Sequence, residues 1–261
     1  MMSTTTETSS FDNDKELKKG DPVIVIEKLC KSFGANVVLR DFSMVVHEEE
    51  NVVVLGKSGA GKSVLIKCII GLLKPDSGKV IVFGLNVPDL NHDELDRLRT
   101  KIGFLFQSNA LYDSMTVREN LEFSLRRQWI QFSQDEVDRL VTEALENVGL
   151  THTVDMMPVE LSGGMQKRIA LARTMILKPK IILYDEPTTG LDPVTAREID
   201  NLILKLQKKY HIASIIISHD MNCVKNTSDN VILLLDGKCY LEGTYEELEQ
   251  SADENIRQFF E

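Results

Sequence analysis

The sequence predicts an α/β fold, a mostly parallel sheet flanked by helices, and three observations predict it. Short apolar runs rich in β-branched residues recur at residues 51–55, 181–184 and 213–218. Helical stretches, residues 165–177 and 193–210, precede the second and third runs. A glycine-rich turn joins the first run to a further apolar helix pattern at residues 62–70. Runs that are apolar at successive positions bury both faces, and strands of that kind alternating with helices form a parallel sheet covered on both sides.

Taken in chain order, residues 1–20 are rich in serine, threonine and charge and read as a disordered tail. Residues 21–261 read as one domain without internal repeats. Residues 23–27 alternate in polarity, as a strand with one solvated face does. Residues 51–55 read as a buried strand and 62–70 as the helix after the turn. From about residue 108 to 165 the chain is largely charged and favours helix, with helices expected at 116–131 and 135–148 of an inserted helical subdomain. Residues 230–235 and 238–242 flank Asp236-Gly237 and read as a hairpin. At the end, Ile256, Phe259 and Phe260 fall at i, i+3, i+4, one apolar helical face that packs on its own domain or on a partner.

Composition excludes several classes. A formal net charge of −10 lacks the basic footprint that duplex DNA requires, so no nucleic-acid partner is expected. No apolar run reaches the roughly 18–20 residues that cross a bilayer, so a role in a membrane needs spanning helices from another chain. The N-terminus has no apolar signal core. Cys30, Cys68, Cys223 and Cys239 show no CxxC spacing, and Cys68 lies in an apolar helix pattern, so a reducing cytosol is expected.

Gly56-Lys57-Ser58-Gly59-Ala60-Gly61-Lys62-Ser63 fits G-x-x-x-x-G-K-S between a strand and a helix. Gly59, Ala60 and Gly61 are small enough for backbone N–H groups to curl around phosphate oxygens. The helix start adds partial positive charge, Lys62 a full charge for the β and γ phosphates, and Ser63 a hydroxyl for Mg²⁺. Asp185 and Glu186 stand at the C-terminal end of a buried strand, where ligands of parallel sheets bind. Successive strand residues face opposite sides, so the two carboxylates take different tasks. Asp185 suits Mg²⁺, and Glu186 suits polarising a water. Ser162-Gly163-Gly164 is a second glycine turn opening a helix, without a lysine. Two such turns suggest a nucleotide gripped from two sides.

In this order the motifs resemble those of the ATP-binding subunits of ABC transporters, from about residue 23 to residue 247, nearly the whole folded part. The resemblance rests on residues 56–63 (Walker A), Gln107 (Q-loop), residues 161–166 (signature), residues 181–186 (Walker B), Gly190-Leu191-Asp192 (D-loop) and His219 (switch histidine). Alone, Gln107 and His219 would be ordinary polar residues. The resemblance implies a P-loop core of the ABC type with an antiparallel β subdomain. It implies that Phe33 stacks on adenine, where tyrosine is common in the family, and that the Walker A segment extends its contacts to Val64. It implies a dimer of two copies around two Mg²⁺·ATP, with Ser162, Gly163 and Gly164 of one copy meeting the γ-phosphate held by the other. Gln107 and His219 would sense the γ-phosphate and Mg²⁺, and Asp192 would lie near the other copy's catalytic water.

A narrower resemblance is carried by Phe104-Leu105-Phe106-Gln107-Ser108-Asn109-Ala110-Leu111-Tyr112-Asp113 and by Met165 after the signature glycines. These look like the Mla-type phospholipid transport ATPases, which serve permeases working with MCE-domain proteins. This implies an ATPase on the inner face of the cell membrane, bound to a permease that moves phospholipid between the membranes of a diderm bacterium. The alternatives are a transport ATPase for another substrate, such as amino acids, and a soluble ABC protein outside transport.

Overall fold

The computed structural model describes residue 18 and residues 20–126 and 132–260. Most of the predicted tail, and residues 127–131 of the predicted helix 116–131, lie outside them.

In chain order the elements are β1 (Pro22–Phe33), β2 (Asn36–His47), β3 (Asn51–Leu55), α1 (Lys62–Ile69), β4 (Ser77–Val82), β5 (Leu85–Asn86), α2 (His92–Thr100) and β6 (Ile102–Leu105). There follow α3 (Val117–Phe123), α4 (Gln134–Val148), α5 (Gly163–Met175), β7 (Ile181–Asp185), α6 (Pro193–Tyr210), β8 (Ala213–Ser218) and α7 (Met221–Thr227). The last are β9 (Asn230–Leu235), β10 (Lys238–Gly243), α8 (Tyr245–Glu249) and α9 (Glu254–Arg257).

Two sheets carry the fold. The larger has the order β10-β9-β3-β8-β7-β6, and all its pairings are parallel except the β9–β10 hairpin. The smaller is antiparallel, with the order β2-β1-β4-β5. Strands β3, β7, β8 and β9 of the large sheet are buried on both faces, and alternation along them divides their side chains between two cores. Val53, Leu55, Ile182, Tyr184, Ile216, Val231 and Leu233 face the core shared with α3 to α9. Val52, Val54, Ile181, Leu183, Ile215, Ile217 and Ile232 face the core shared with α1, α2 and the antiparallel sheet.

Several elements differ from the sequence expectation, each for a local reason. β1 runs to Phe33 instead of residue 27, because register shifts between Ile26 and Leu29 and again at Lys31 break the alternation that marks a strand. The same irregularity hid β2, and β4 opens on the exposed Ser77, Gly78 and Lys79. α5 begins at Gly163, two residues early, because the Ser162 hydroxyl accepts from Met165 N–H at 3.3 Å and caps the helix. α3 starts from a reciprocal Thr116–Glu119 capping box and ends at Phe123. The C-terminal apolar face packs on its own domain. Ile256 is buried, Phe259 and Phe260 pack against the core shared with α3 to α9, and the Phe260 ring lies 5.5 Å from that of Tyr245.

Candidate nucleotide site

β3, β8 and β7 are neighbours, with Leu55 paired to Ser218 and Asp185 to Ile217. Their C-terminal ends therefore lie side by side. The glycine loop leaves β3, His219 follows β8, and Asp185 closes β7. Three segments far apart in sequence meet because strand order, not chain order, sets adjacency.

The cleft at this edge measures about 630 Å³. Phe33, Ser58, Gly59, Gly61, Lys62, Ser63, Val64, Gln107, Asp185, Glu186 and His219 all line it. Gly56 and Ala60 belong to the same loop but are not among the residues that line the cleft, and Ala60 packs against the core shared with α1, α2 and the antiparallel sheet. Gly61 has φ +107, and a Cβ there would sit 2.9 Å from a Val38 methyl. The turn into α1 therefore requires glycine on two counts. The helix start has no side-chain cap, which leaves its N–H groups to a ligand. Lys62 is buried at 7% exposure, and its Nζ donates to Gly56 O at 2.6 Å and Lys57 O at 3.1 Å. Burial lowers its pKa, while Glu186 and Asp185 pull the other way.

The two carboxylates both line the cleft but make different contacts. Asp185 accepts from the Ser63 hydroxyl at 3.3 Å, and burial raises its pKa against that hydrogen bond. Glu186 has left the strand with φ +51 and its N–H bonds Ile217 O at 3.0 Å. A non-glycine residue in the left-handed region carries backbone strain, which concentrates at functional sites. Glu186 Oε2 lies 2.7 Å from His219 Nδ1 and accepts from the Thr189 hydroxyl at 3.1 Å. The aromatic ring of Phe33 is about half exposed at the rim, with Lys31 Nζ 5.5 Å over it.

Ser162, Gly163, Gly164 and Asp192 do not line this cleft. They form a second patch. Asp192 caps α6, accepting from the N–H groups of Val194 and Thr195 and from the Thr195 hydroxyl. A Cβ on Gly164 would lie 2.7 Å from Thr195 Cγ2, so the glycine lets α5 approach the start of α6. Ser162 and Gly163 are exposed.

Sequence reasoning missed Thr189, Lys167 and Arg173. Lys167 was detectable by periodicity. Ala170 and Leu171, three and four residues on, are fully buried, so the lysine shares their face.

These features define a P-loop ATPase cassette. The ABC transporter family profile matches residues 39–189. The chain belongs to the ABC transporter family, as one of its ATPase cassettes. It is 37% identical over 236 residues to the "Probable ribonucleotide transport ATP-binding protein mkl" of Mycobacterium tuberculosis, covering 90% of this chain and 66% of that protein. The chain thus spans about two thirds of that relative's length. It is 35% identical over 237 residues to the intermembrane phospholipid transport system ATP-binding protein MlaF of Haemophilus influenzae, covering 91% of this chain and 89% of MlaF. It is 39% identical over 210 residues to the methionine import ATP-binding protein MetN of Legionella pneumophila, covering 80% and 61%. Among solved structures, cbiO1 of Clostridium perfringens, part of the transporter complex cbiONQ, superposes with a TM-score of 0.82 at 32% identity, covering 91% of this chain and 94% of cbiO1. The dimeric cassette MJ0796, bound to ADP and Pi after hydrolysis, superposes with a TM-score of 0.77 at 31% identity, covering 85% and 98%.

Proposed function

We propose that this chain is the ATP-hydrolysing subunit of a transporter, dimerises around ATP, and drives a separate permease that moves phospholipid between membranes. The observation that carries the ATPase reading is the convergence of Lys62, Ser63, Asp185, Glu186 and His219 on one cleft at the ends of β3, β7 and β8.

In this reading the residue 56–63 loop and Lys62 hold the β and γ phosphates, and Phe33 stacks on the base. Water attacks the γ-phosphorus, the bond to the β–γ bridging oxygen breaks, and ADP and phosphate leave. Glu186 accepts the proton of that water, and His219 and Thr189 hold its carboxylate in place. The Ser63 hydroxyl, the Asp185 carboxylate and the Gln107 amide supply the oxygen ligands that Mg²⁺ prefers, and a cation beside Asp185 would offset its burial. When bound, Mg²⁺ would neutralise charge on the terminal phosphates. Ser162, Gly163, Gly164 and Asp192 lie outside the cleft of their own chain, which suits a role at the nucleotide of a second copy.

The lipid cargo is supported by the likeness to MlaF over most of that protein's length and by the residue 104–113 segment. In that segment the half-exposed Tyr112 ring lies 4.7 Å from that of Phe123. Residues 108–127, within the helical subdomain of about residues 108–165, would sit beside the permease. Among the described residues no helix is long and apolar enough to cross a membrane, so the permease is a separate chain in this reading. Similarity to MetN favours a second reading, an importer of a small metabolite such as an amino acid.

The deciding experiment is purification of the tagged chain from native membranes, with mass spectrometry of bound proteins and lipids. A multispanning permease with an MCE-domain protein and enriched phospholipid supports the proposal. A substrate-binding protein without lipid enrichment favours the importer, and no membrane partner overturns the transporter reading.

A further inference from the structure

Lys167 is among the largest fully buried side chains of the protein, at 2% exposure. It lies on α5 five residues after Ser162, and its Nζ donates to the backbone carbonyl of Gln107 at 3.0 Å. A buried ammonium is costly, and burial lowers its pKa, with Asp185 acting against that shift. A methionine of similar length would fill the same space without the cost. The charge therefore calls for a task beyond packing.

That task is visible in what the carbonyl belongs to. Gln107 itself is exposed at the cleft, so packing does little to hold its side chain, and its position depends on its backbone. The next residues are held from the same helix. Arg173 donates to Asn109 O at 2.9 Å and to Ala110 O at 2.7 Å. Asn109 and Ala110 both take left-handed backbone, with φ +62 and +50, a conformation that persists only where surroundings enforce it. One helix thus grips three carbonyls of the residue 107–110 segment, and its first turn is capped by Ser162.

We infer that Lys167 is a positioning residue for Gln107. From α5 it fixes the Gln107 backbone so that the amide is presented to the phosphate cleft, and so that the segment moves with the helix capped by Ser162. The inference rests on the reading of Gln107 as a Mg²⁺ ligand given above.

The test uses the full chain and the binding of methylanthraniloyl-ATP, titrated by fluorescence with and without Mg²⁺. The wild type gains affinity with Mg²⁺, and Gln107→Ala loses most of that gain. Lys167→Met and Lys167→Leu, which remove the donor, lose about tenfold of it. Their metal-free affinity stays within about twofold of wild type and their melting temperature does not fall. Lys167→Arg, which keeps a donor, retains the gain. A full Mg²⁺ gain in either soluble donor-less variant, or an equal loss in Lys167→Arg, overturns the inference and leaves the role of Gln107 standing. A full gain in Gln107→Ala overturns that role and this inference with it.

Discussion

His219 Nδ1 lies 2.7 Å from Glu186 Oε2, joining the residue after β8 to the residue after β7 across the mouth of the cleft. The Thr189 hydroxyl donates to the same oxygen at 3.1 Å, so the carboxylate is held from two sides. A general base must be fixed before its pKa matters. Glu186→Gln keeps the shape and removes the proposed base. Turnover should fall by about 10²–10⁴, with ATP binding intact and an ATP-bound dimer trapped on gel filtration. Hydrolysis by this variant near the wild-type rate would show that another group takes the proton.

Ser162 presents its exposed hydroxyl on a surface away from its own chain's cleft. Ser162→Arg should fill the γ-phosphate site of a second copy and reduce steady-state hydrolysis to background while leaving nucleotide binding by the monomer unchanged. Combined with Glu186→Gln, it should also abolish the trapped dimer. A variant that still dimerises and hydrolyses ATP would sink the two-sided grip on the nucleotide.

Phe33 offers a half-exposed ring at the rim of the cleft, steadied by the Lys31 cation. Stacking of a base on an aromatic ring contributes about 1–3 kcal/mol. Phe33→Ala should therefore weaken ATP binding by about 5- to 150-fold and leave tripolyphosphate binding unchanged. Phe33→Tyr should match the wild type. Equal losses for both ligands in isothermal titration would place the effect on the phosphates rather than the base.

Asp200 is buried at 2% exposure on α6, beside Asn226 and Cys223 of α7, and its Oδ1 has no hydrogen-bond partner among the described residues. Burial raises its pKa above 3.8, partly offset by Asn226 and Cys223 and reinforced by Asp220. The folded state then binds the proton more tightly than the unfolded chain. Stability from this group is greatest below the unfolded value and declines as pH rises through the folded one. Asp200→Asn should be more stable than wild type at pH 8 by about 1 kcal/mol, or about 2–4 °C in melting temperature. That gap should narrow toward pH 4. A gap that is constant with pH would show that Asp200 does not titrate differently on folding.

Much of this was legible in the sequence. The strands β3, β7 and β8 announced themselves because each is apolar at successive positions. The turn chemistry of residues 56–63 is local, since its glycines, lysine and serine stand at fixed spacing within one short loop. α6 and the β9–β10 hairpin were legible for the same reason, as their caps and turns lie within a few residues. The antiparallel sheet was harder, because the register shifts in β1 and β2 scramble alternation, and the sequence carries no mark of a bulge.

What the sequence alone determined is the residue pattern of each segment: a glycine-rich loop closed by a lysine and a serine, a carboxylate pair at a strand end, a capped helix opening on two glycines. Only the tertiary structure decided which of them act together. The order β3-β8-β7 brings His219 to Glu186 and Asp185 to Ser63, and keeps Ser162 and Asp192 apart from them. It also buries Lys167 beneath Gln107, 60 residues distant in the chain. Hydrogen bonds over such separations depend on how strands are ordered and helices packed, and that information is spread over the whole core rather than written beside either residue.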